Sequence, residues 1–313
     1  MRRRESALNA LLAVDKPVGI TSHDAVARVR RAVGERRVGH AGTLDPAASG
    51  VLVVGVGQGT RLMGLLTAER KSYVGLIVFG SETDTDDAEG AVVREAAAPD
   101  WAADEARVRE RLAAIMGDQL QVPPSYSAIS VDGVRSYARA RAGESFELPA
   151  RPVTVYEAQL LAIQDVEGSP AWLCSFTVSK GCYVRSIARD LGRAADSAAH
   201  LGALRRTASG PVSIASCVTL ERLQEAGAQG AARLALDPVR ALGLGVRRLT
   251  DAELSDVSCG RRIALGHVEG PVPEEGGLAA VVRDGELMGV WERRGDSLAC
   301  SVNFPTGIVG VRG

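Results

Sequence analysis

The sequence predicts a mixed α/β (α+β) fold with a small β-rich domain at the C-terminal end. Strand-like and helix-like segments alternate over most of the chain. Two long strand patterns, at 152–163 and 171–179, are joined by the turn sequence Glu-Gly-Ser-Pro. After residue 278, short apolar runs between glycine turns are typical of a small barrel.

The first elements predicted are a short strand and an amphipathic helix. Apolar residues 11–14 form the strand, and the sequence Asp-Lys-Pro-Val-Gly then turns the chain. Ser22 can cap the helix and Gly34 can end it. Three valines recur between them at helical spacing: Val26, Val29 and Val33.

Loops and strands are predicted to alternate up to the middle of the chain. The polar segment 39–50 shows neither the helical nor the strand period, so we expect a loop there. The elements expected after it are a buried strand at 51–56, a short helix opened by Thr60, a strand at 73–79, an acidic loop at 81–90 and a helix at 102–116.

Further breaks and elements are predicted in the second half. Two prolines at 123–124 interrupt the chain, and Asp132-Gly133 predicts a hairpin turn. A helix follows Lys180-Gly181, with apolar residues facing inward and Arg185, Arg189 and Arg193 elsewhere on it. The glycine-rich stretch 241–250 resembles a linker, and the last short strands are expected at 278–282, 287–291 and 298–302.

Composition excludes several classes of protein. Of 313 residues, 46% are hydrophobic and 24% are charged, which is typical of globular chains and not of disordered or fibrous ones. Five cysteines without CxxC spacing and four scattered histidines favour reduced thiols and no metal site. Because no run of about 18 apolar residues is present, we expect a cytoplasmic protein that does not span a membrane.

Charge is unevenly distributed although the net charge is only −1. Residues 1–75 carry 12 basic and 6 acidic groups, whereas residues 76–110 carry 3 and 10. The basic region, including the helix face from Arg28 to Arg37, suits contact with nucleic-acid phosphates, and solvated surface is the alternative interpretation.

The segment 39–50 carries the strongest candidate chemistry. Its glycines allow the main chain to approach a ligand closely. Pro46 biases Asp45 away from helical angles, so the carboxylate is a candidate catalytic group, with a plain turn aspartate as the alternative. Arg185, which opens a helix directly after a strand, is a candidate partner that keeps this carboxylate ionised.

Aromatic residues beside cations suggest stacking on a nucleic-acid base. Tyr73 and Tyr183 each follow a lysine closely, and core packing is the alternative for both. A second aromatic and basic patch, equally consistent with an exposed helix, comprises Arg135, Tyr137, Arg139 and Arg141.

Six motifs in matching order together resemble the TruB family of tRNA pseudouridine-55 synthases, and the similarity covers most of residues 10–212. The motifs are 12–19, 39–50, 70–73, 83–90, 123–141 and 179–192. The tail from about 247 loosely resembles the PUA-like RNA-binding domain of these enzymes. Cys182 stands where threonine is frequent in the family, and Ala48-Ser49 stands where Ala-Thr is frequent.

The resemblance implies a pseudouridine synthase fold, with a largely antiparallel central sheet flanked by helices and a C-terminal PUA-like β-barrel. The catalytic domain would span 8–245, with an RNA-clasping insertion near 120–150, and the PUA-like domain would span 247–310. It also implies isomerisation of uridine-55 in the T-stem-loop of tRNA, without metal or cofactor, by a monomer that needs no protein partner.

The resemblance further assigns residues to roles. Asp45 would be the catalytic carboxylate, Tyr73 would pack against the flipped base and assist the proton step, and Arg185 would pair with Asp45. The substrate-binding residues implied are His40, Tyr73, Tyr183, Leu204, Lys180 and Lys16.

The sequence leaves the chemical route open. Asp45 can attack the sugar, attack the base or accept a proton from the sugar. The alternative functions are a guide-dependent synthase within a ribonucleoprotein, a non-catalytic RNA-binding protein on the same fold, and a glycosidase. A glycosidase needs a second carboxylate about 5–9.5 Å away, and no carboxylate of the matched motifs is an obvious partner for Asp45.

Overall fold

The computed structural model describes residues 6–67, 70–127, 130–131, 134–135 and 148–312. The chain divides into two compact units. The first combines Met1–Glu69 with Ala208–Gly313, and the second is the continuous segment Arg70–Thr207. The predicted mixed α/β class is confirmed, because both strands and helices are present in each unit.

Strands and helices follow each other along the whole chain. The strands are β1 (Ala10–Lys16), β2 (Val38–Ala41), β3 (Ala48–Val56), β4 (Lys71–Phe79), β5 (Ser81–Thr83), β6 (Val92–Glu95), β7 (Gly117–Gln121), β8 (Ser130–Val131), β9 (Val134–Arg135), β10 (Arg151–Val166), β11 (Ser169–Val178), β12 (Ala199–Ser209), β13 (Val212–Ser213), β14 (Val218–Thr219), β15 (Gly245–Arg248), β16 (Ile263–Ala264), β17 (Leu278–Arg283), β18 (Glu286–Arg294) and β19 (Ser297–Val309). The α-helices are α1 (Ser22–Val33), α2 (Met63–Thr67), α3 (Glu105–Ala114), α4 (Val184–Ala194), α5 (Leu220–Ala231), α6 (Pro238–Leu242) and α7 (Leu254–Ser258).

In the first unit, β1 lies between β3, to which it is antiparallel, and β14, to which it is parallel. β2 is antiparallel to β3. Successive residues of β1 enter two different cores: Leu12 packs with α1 residues such as Val29, whereas Leu11 packs with C-terminal residues such as Phe304. Both faces of the strand are therefore covered, which explains why its sequence is continuously apolar.

The first helix begins where the valine spacing predicted it, but its capping residue is different. The side chain of Thr21, not Ser22, accepts from the Asp24 amide, and the Asp24 carboxylate accepts from the Thr21 amide. This capping box leaves Ser22 inside the first turn, with its side chain directed into the protein. Gly34 ends the helix at a φ of 65°, as expected.

The second unit is built on an antiparallel sheet in which β4, β11, β10 and β7 are successive neighbours. Fully buried Trp172 anchors one of its faces, since its ring packs against Phe79 and its indole N–H donates to the carbonyl of Ala102 at 2.8 Å. Asp104 caps the start of helix α3, because its carboxylate accepts from the main-chain amides of Ala106 and Arg107. The largely antiparallel arrangement expected from the family resemblance is confirmed.

The C-terminal strands form a five-stranded sheet in the order β15-β17-β18-β19-β16. All three strands expected after residue 278 are present, and all three are longer than expected. The prediction of a linker at 241–250 is wrong, because residues 245–248 form β15, which pairs in parallel with β17. Its polarity comes from Arg247, which is buried against Glu253 and donates to the carbonyl of Leu265 at 2.9 Å.

The expected loop at 39–50 is also shorter in the structure. β2 and β3 occupy both of its ends, so only residues 42–47 connect them. The prediction failed because pairing between β2 and β3 satisfies the main-chain hydrogen bonds of these residues. The polar and glycine-containing composition of the segment gives no sign of this pairing. Across the parts of the chain that the structure describes, the helices are too short or too polar to cross a membrane.

Candidate active site

Asp45 lies in the short connection between β2 and β3. The amide of Ala48 donates to the carbonyl of Asp45 at 3.1 Å, which closes a turn with Pro46 at its second position. Proline is favoured there because its ring fixes φ near −65°. Asp45 is half-buried, while its neighbour Leu44 is only 4% exposed. The turn therefore places a partly accessible carboxyl residue beside a well-packed one.

Lys16 contacts main-chain carbonyls of the same turn and of the segment before α1. Its side chain is fully buried, and its ammonium donates to the carbonyls of Pro17 at 2.8 Å and Ile20 at 2.7 Å, with the carbonyl of Pro46 at 3.5 Å. A buried ammonium requires such partners, because desolvation without them is costly. These contacts give Lys16 a role in holding main chain; its direct binding of substrate stays a prediction.

His40 lies on β2, opposite Val54 of β3. Its ring is half-buried and meets the ring of His23 edge-on, with the centroids 5.6 Å apart. His23 is exposed in the first turn of α1, so the two histidines join the helix to the strand that leads into the Asp45 turn.

Arg185 lies in the first turn of α4 and is buried. Its guanidinium donates to the carbonyl of Thr85 at 2.7 Å and to that of Tyr126 at 3.1 Å, and it lies 3.4 Å from the Asp87 carboxylate. A guanidinium carries five donors in a fixed plane, so it can hold several acceptors at once. The alternative of a surface arginine is therefore wrong for this residue.

Arg189 repeats this arrangement one helical turn later. It is buried, forms an ion pair with Asp86 at 2.8 Å and donates to the carbonyl of Val122 at 2.9 Å. Burial raises the pKa of Asp86 to about 6, against the opposing attraction of Arg189 and Arg185. Asp86 and Asp87 of the acidic segment 81–90 are thus buried against arginines of α4 instead of being solvated, whereas Asp84 and Glu89 are exposed.

Glu82 is a third buried carboxylate of this segment, besides Asp86 and Asp87. Its carboxylate is 3% exposed and pairs with Arg193 at 2.7 Å and with Arg94. Burial opposes ionisation of Glu82, but hydrogen bonds and charge from Arg193 and Arg94 outweigh it and hold the pKa below its usual value. Both arginines are themselves about half exposed.

Replacing Glu82 by glutamine is expected to lower the free energy of unfolding at pH 7 by about 1–3 kcal/mol. The loss is moderate because the half-exposed arginines regain hydration. A carboxyl whose pKa is lowered by folding adds stability above its unfolded pKa and loses it as pH falls. The difference in unfolding free energy between the two proteins, measured by urea melts, should therefore become smaller as the pH falls from about 6 to about 3.

Glu105→Gln serves as the control for that experiment. Glu105 pairs with Arg109 at 3.2 Å, but its side chain is 66% exposed, so the loss should stay below about 1 kcal/mol. A difference between wild type and Glu82→Gln that stays constant over the whole pH range would contradict the proposed electrostatic contribution.

Tyr183 is the residue immediately before α4, and its main chain is fixed from both sides by one side chain. The Gln121 amide group donates to the Tyr183 carbonyl at 3.1 Å, and its oxygen accepts from the Tyr183 amide at 2.8 Å. Gln121 is 3% exposed and ends β7. The edge strand thereby sets the position at which α4, and with it Arg185, begins.

Tyr73 and Leu204 lie on the same side of β4. Tyr73 is buried on that strand opposite Phe176 of β11. Two residues further along β4, Gly75 leaves room for Leu204 of β12, whose methyl would lie 3.5 Å from any β-carbon placed there. Residues two apart on a strand share a face, so Tyr73 and the position that Leu204 approaches lie on one face of β4.

The segment between β11 and α4 carries two further residues of interest. Lys180 is exposed, and Gly181 follows it at a φ of 85°, where glycine is favoured. Burial raises the pKa of the Cys182 thiol to about 12. At neutral pH that thiol stays protonated and is a poor nucleophile, so Cys182 is not a candidate catalytic nucleophile.

The predicted site residues fall into two groups. The first unit holds Lys16, His40 and Asp45, and the second holds Tyr73, Lys180, Tyr183, Arg185 and Leu204. Sequence reasoning missed the contributions of Ser22, Gln121 and Asp87; the only signal was their position in or beside the motifs. In the second basic patch, Arg135 lies in β9, whereas Tyr137, Arg139, Arg141 and the Asp132-Gly133 turn lie outside the described residues.

Two family models match adjoining parts of the chain. The TruB family pseudouridylate synthase N-terminal domain matches residues 30–184, and the tRNA pseudouridylate synthase B C-terminal domain matches residues 185–241. A tRNA pseudouridine synthase B from Leifsonia xyli is 44% identical over 95% of this chain and 97% of its own length. One from Thermobifida fusca is 43% identical over 92% of this chain and 96% of its own length.

Solved structures with the same fold are more distant in sequence. The chain is similar to one in the archaeal box H/ACA sRNP Nop10-Cbf5 complex, with a TM-score of 0.67 and 23% identity over 94% of this chain and 85% of that one. A chain of an H/ACA RNP bound to a substrate RNA containing 2'-deoxyuridine gives a TM-score of 0.69, also at 23% identity, over 94% of this chain and 84% of that one. At this identity the likeness shows the fold alone.

Proposed function

Because the chain belongs to the TruB family of pseudouridylate synthases, we propose that it converts a uridine of tRNA into pseudouridine, and that this uridine is residue 55 of the T-stem-loop. One observation carries the proposal: a family-matched segment presents Asp45 in a proline turn, half-buried between two strands. The two relatives described above are named tRNA pseudouridine synthase B, and they align over nearly the whole chain.

The reaction is an isomerisation in which one bond is exchanged for another. The glycosidic bond from N1 to the ribose breaks, the ring turns, and C5 joins the same ribose carbon. C5 loses its hydrogen as a proton, and N1 gains a proton. In our proposal the Asp45 carboxylate starts this sequence by attacking the sugar, attacking the base or accepting a proton from the sugar.

Arg185 is proposed to keep the Asp45 carboxylate ionised. An arginine within roughly 4–6 Å of a carboxylate stabilises its charged form and lowers its pKa. Arg185 suits this role because its guanidinium is buried and already oriented by two carbonyls and by Asp87. An oriented cation loses little entropy when it meets a second carboxylate.

Base recognition is proposed to use the aromatic and aliphatic side chains of the second unit. Flipping a uridine out of its loop costs a few kcal/mol, and stacking on an aromatic ring returns about 1–3 kcal/mol. Tyr73 would stack on the flipped base and assist the proton step at C5, with Leu204 on the same strand face and Tyr183 at the start of α4. His40 would enter the space that the base leaves.

Phosphate contacts are proposed for cations that the structure leaves exposed. Lys180 is one, and the α1 face supplies three more: Arg28, Arg30 and Arg31. Each contact releases counterions from the RNA, so tRNA binding should weaken as salt rises. Lys16 is also proposed to bind substrate, although its ammonium is held by main-chain carbonyls here.

The remaining expectations stay proposals. We propose a catalytic domain at 8–245, with an RNA-clasping insertion near 120–150, and a PUA-like RNA-binding domain at 247–310. We further propose that the protein acts in the cytoplasm as a monomer, without metal, cofactor or protein partner. A guide-dependent role finds no support beyond the shared fold of the H/ACA chains.

The test is pseudouridine mapping of a tRNA transcript before and after treatment with the purified protein. The expected result is one pseudouridine, at position 55, and none in a transcript with cytidine at that position. Product at another position would overturn the assignment of residue 55, and unmodified RNA throughout would overturn the proposed activity. Release of free uracil would instead support the glycosidase alternative.

A further inference from the structure

We propose that Ser22 is a positioning residue that holds Asp45 in its working conformation. Ser22 is 1% exposed and lies in the first turn of α1. Its hydroxyl donates to the carbonyl of Leu44 at 3.0 Å and accepts from the amide of Leu44 at 2.8 Å. One hydroxyl therefore satisfies both main-chain groups of the residue that precedes Asp45.

The double contact restrains rotation of the main chain at Leu44. A single hydrogen bond leaves a peptide group free to pivot about it, but a donor and an acceptor of one residue, tied to one atom, fix the direction of both peptide planes. Leu44 is 4% exposed, so no bulk water replaces a lost partner. The peptide plane that leads into Asp45 is thus set by Ser22.

The residue that follows Asp45 is held by Gly19, three residues before Ser22 in the sequence. The amide of Gly19 donates to the carbonyl of Pro46 at 2.9 Å. Residues 19 and 22 therefore fix the residues before and after Asp45, and the α1 capping box of Thr21 and Asp24 fixes the start of the helix that carries Ser22. The main chain on both sides of Asp45 is therefore held by the segment that begins α1, in addition to the turn that Asp45 forms with Ala48.

Catalysis is sensitive to this orientation. A displacement of about 1 Å in a catalytic group can cost about 10²-fold in rate, because the near-attack geometry is lost. Ser22 is too deeply buried to contact RNA, so its loss should change the rate of the chemical step and leave RNA binding intact. This inference rests on the proposed catalytic role of Asp45.

The experiment compares Ser22→Ala with a matched serine elsewhere. Ser197 is also 1% exposed and donates to the main-chain carbonyl of Ala97 at 2.8 Å, but it belongs to the second unit, whereas the Asp45 turn belongs to the first. Release of tritium from tRNA labelled at C5 of uridine gives kcat and KM, single turnovers give the rate of the chemical step, and filter binding gives Kd. All assays run well below the melting temperatures of the variants.

The expected result is a fall in kcat of about 10- to 100-fold for Ser22→Ala. KM and Kd should stay within about twofold of wild type, and Ser197→Ala should keep its kcat despite a similar loss in melting temperature. Ser22→Cys, whose thiol is a weaker donor and acceptor of similar size, should lie between serine and alanine. It replaces the alanine variant if that protein does not fold.

Three outcomes would overturn the inference: an unchanged kcat for Ser22→Ala, an equal fall in kcat for Ser197→Ala, or a loss that appears mainly in Kd. Asp45→Asn, measured in parallel, separates this inference from the proposed function. An active Asp45→Asn protein overturns the proposed function, whereas an inactive one beside a fully active Ser22→Ala overturns the role of Ser22 alone.

Discussion

Replacing Asp45 by asparagine is expected to lower kcat for pseudouridine formation by at least about 10⁴-fold, with tRNA binding within about threefold of wild type. An amide has nearly the shape of the carboxylate but is neither an effective nucleophile nor a base. All three proposed routes need one of those properties. The measurement is tritium release from C5-labelled tRNA in single turnovers, beside filter binding of the same RNA.

Asp104→Asn is the matched control for Asp45→Asn. Asp104 caps α3, its side chain is 52% exposed, and asparagine serves equally well as a helix cap. Its activity should equal that of wild type. Product formation by Asp45→Asn at the wild-type rate would refute the role proposed for this carboxylate in every one of its forms.

Replacing Arg185 by lysine is expected to lower kcat by about 10²- to 10³-fold while charge is conserved. The guanidinium holds two carbonyls and Asp87 from one plane, and a lysine ammonium cannot reach all three from the same main-chain position. The cation proposed to face Asp45 would then lose its orientation. Single-turnover rates measured with saturating enzyme report this effect on the chemical step, because all of the tRNA is then bound.

Arg189→Lys separates catalysis from stability in that experiment. Arg189 lies one turn further along α4, is equally buried, and binds Asp86 and the carbonyl of Val122. The two lysine variants should lose similar amounts of stability in urea melts, but Arg189→Lys should keep most of its kcat. Equal loss of activity in both would show that the intact cluster, and not Arg185 itself, is what catalysis requires.

Much of the fold could be predicted because apolar spacing determines where strands and helices form. The valines of α1 and the apolar run of β1 face cores that the structure confirms. The errors occurred where tertiary contacts override local composition. Residues 245–248 form a strand because they pair in parallel with β17, where buried Arg247 forms an ion pair with half-buried Glu253. The ends of segment 39–50 form strands because β2 and β3 pair with each other.

The candidate site was predicted less completely than the fold. Asp45, Tyr73 and Arg185 carry chemically distinctive side chains, so their motifs point to them. Ser22 and Gln121 act on main-chain groups of residues distant in sequence, 22 and 62 positions away. No local pattern encodes such a contact. Ser22 even matched the different role of a helix cap, which Thr21 performs.

The discontinuity of the first unit has a consequence for synthesis on the ribosome. Leu11 and Val51 share one apolar layer with Phe304 and Ile308, which the ribosome adds much later. Residues 70–207 are contiguous and can fold while the chain is still growing. Strands β1 and β3 instead keep one apolar face uncovered until the C-terminal strands have been made, and exposed apolar surface of this kind favours aggregation.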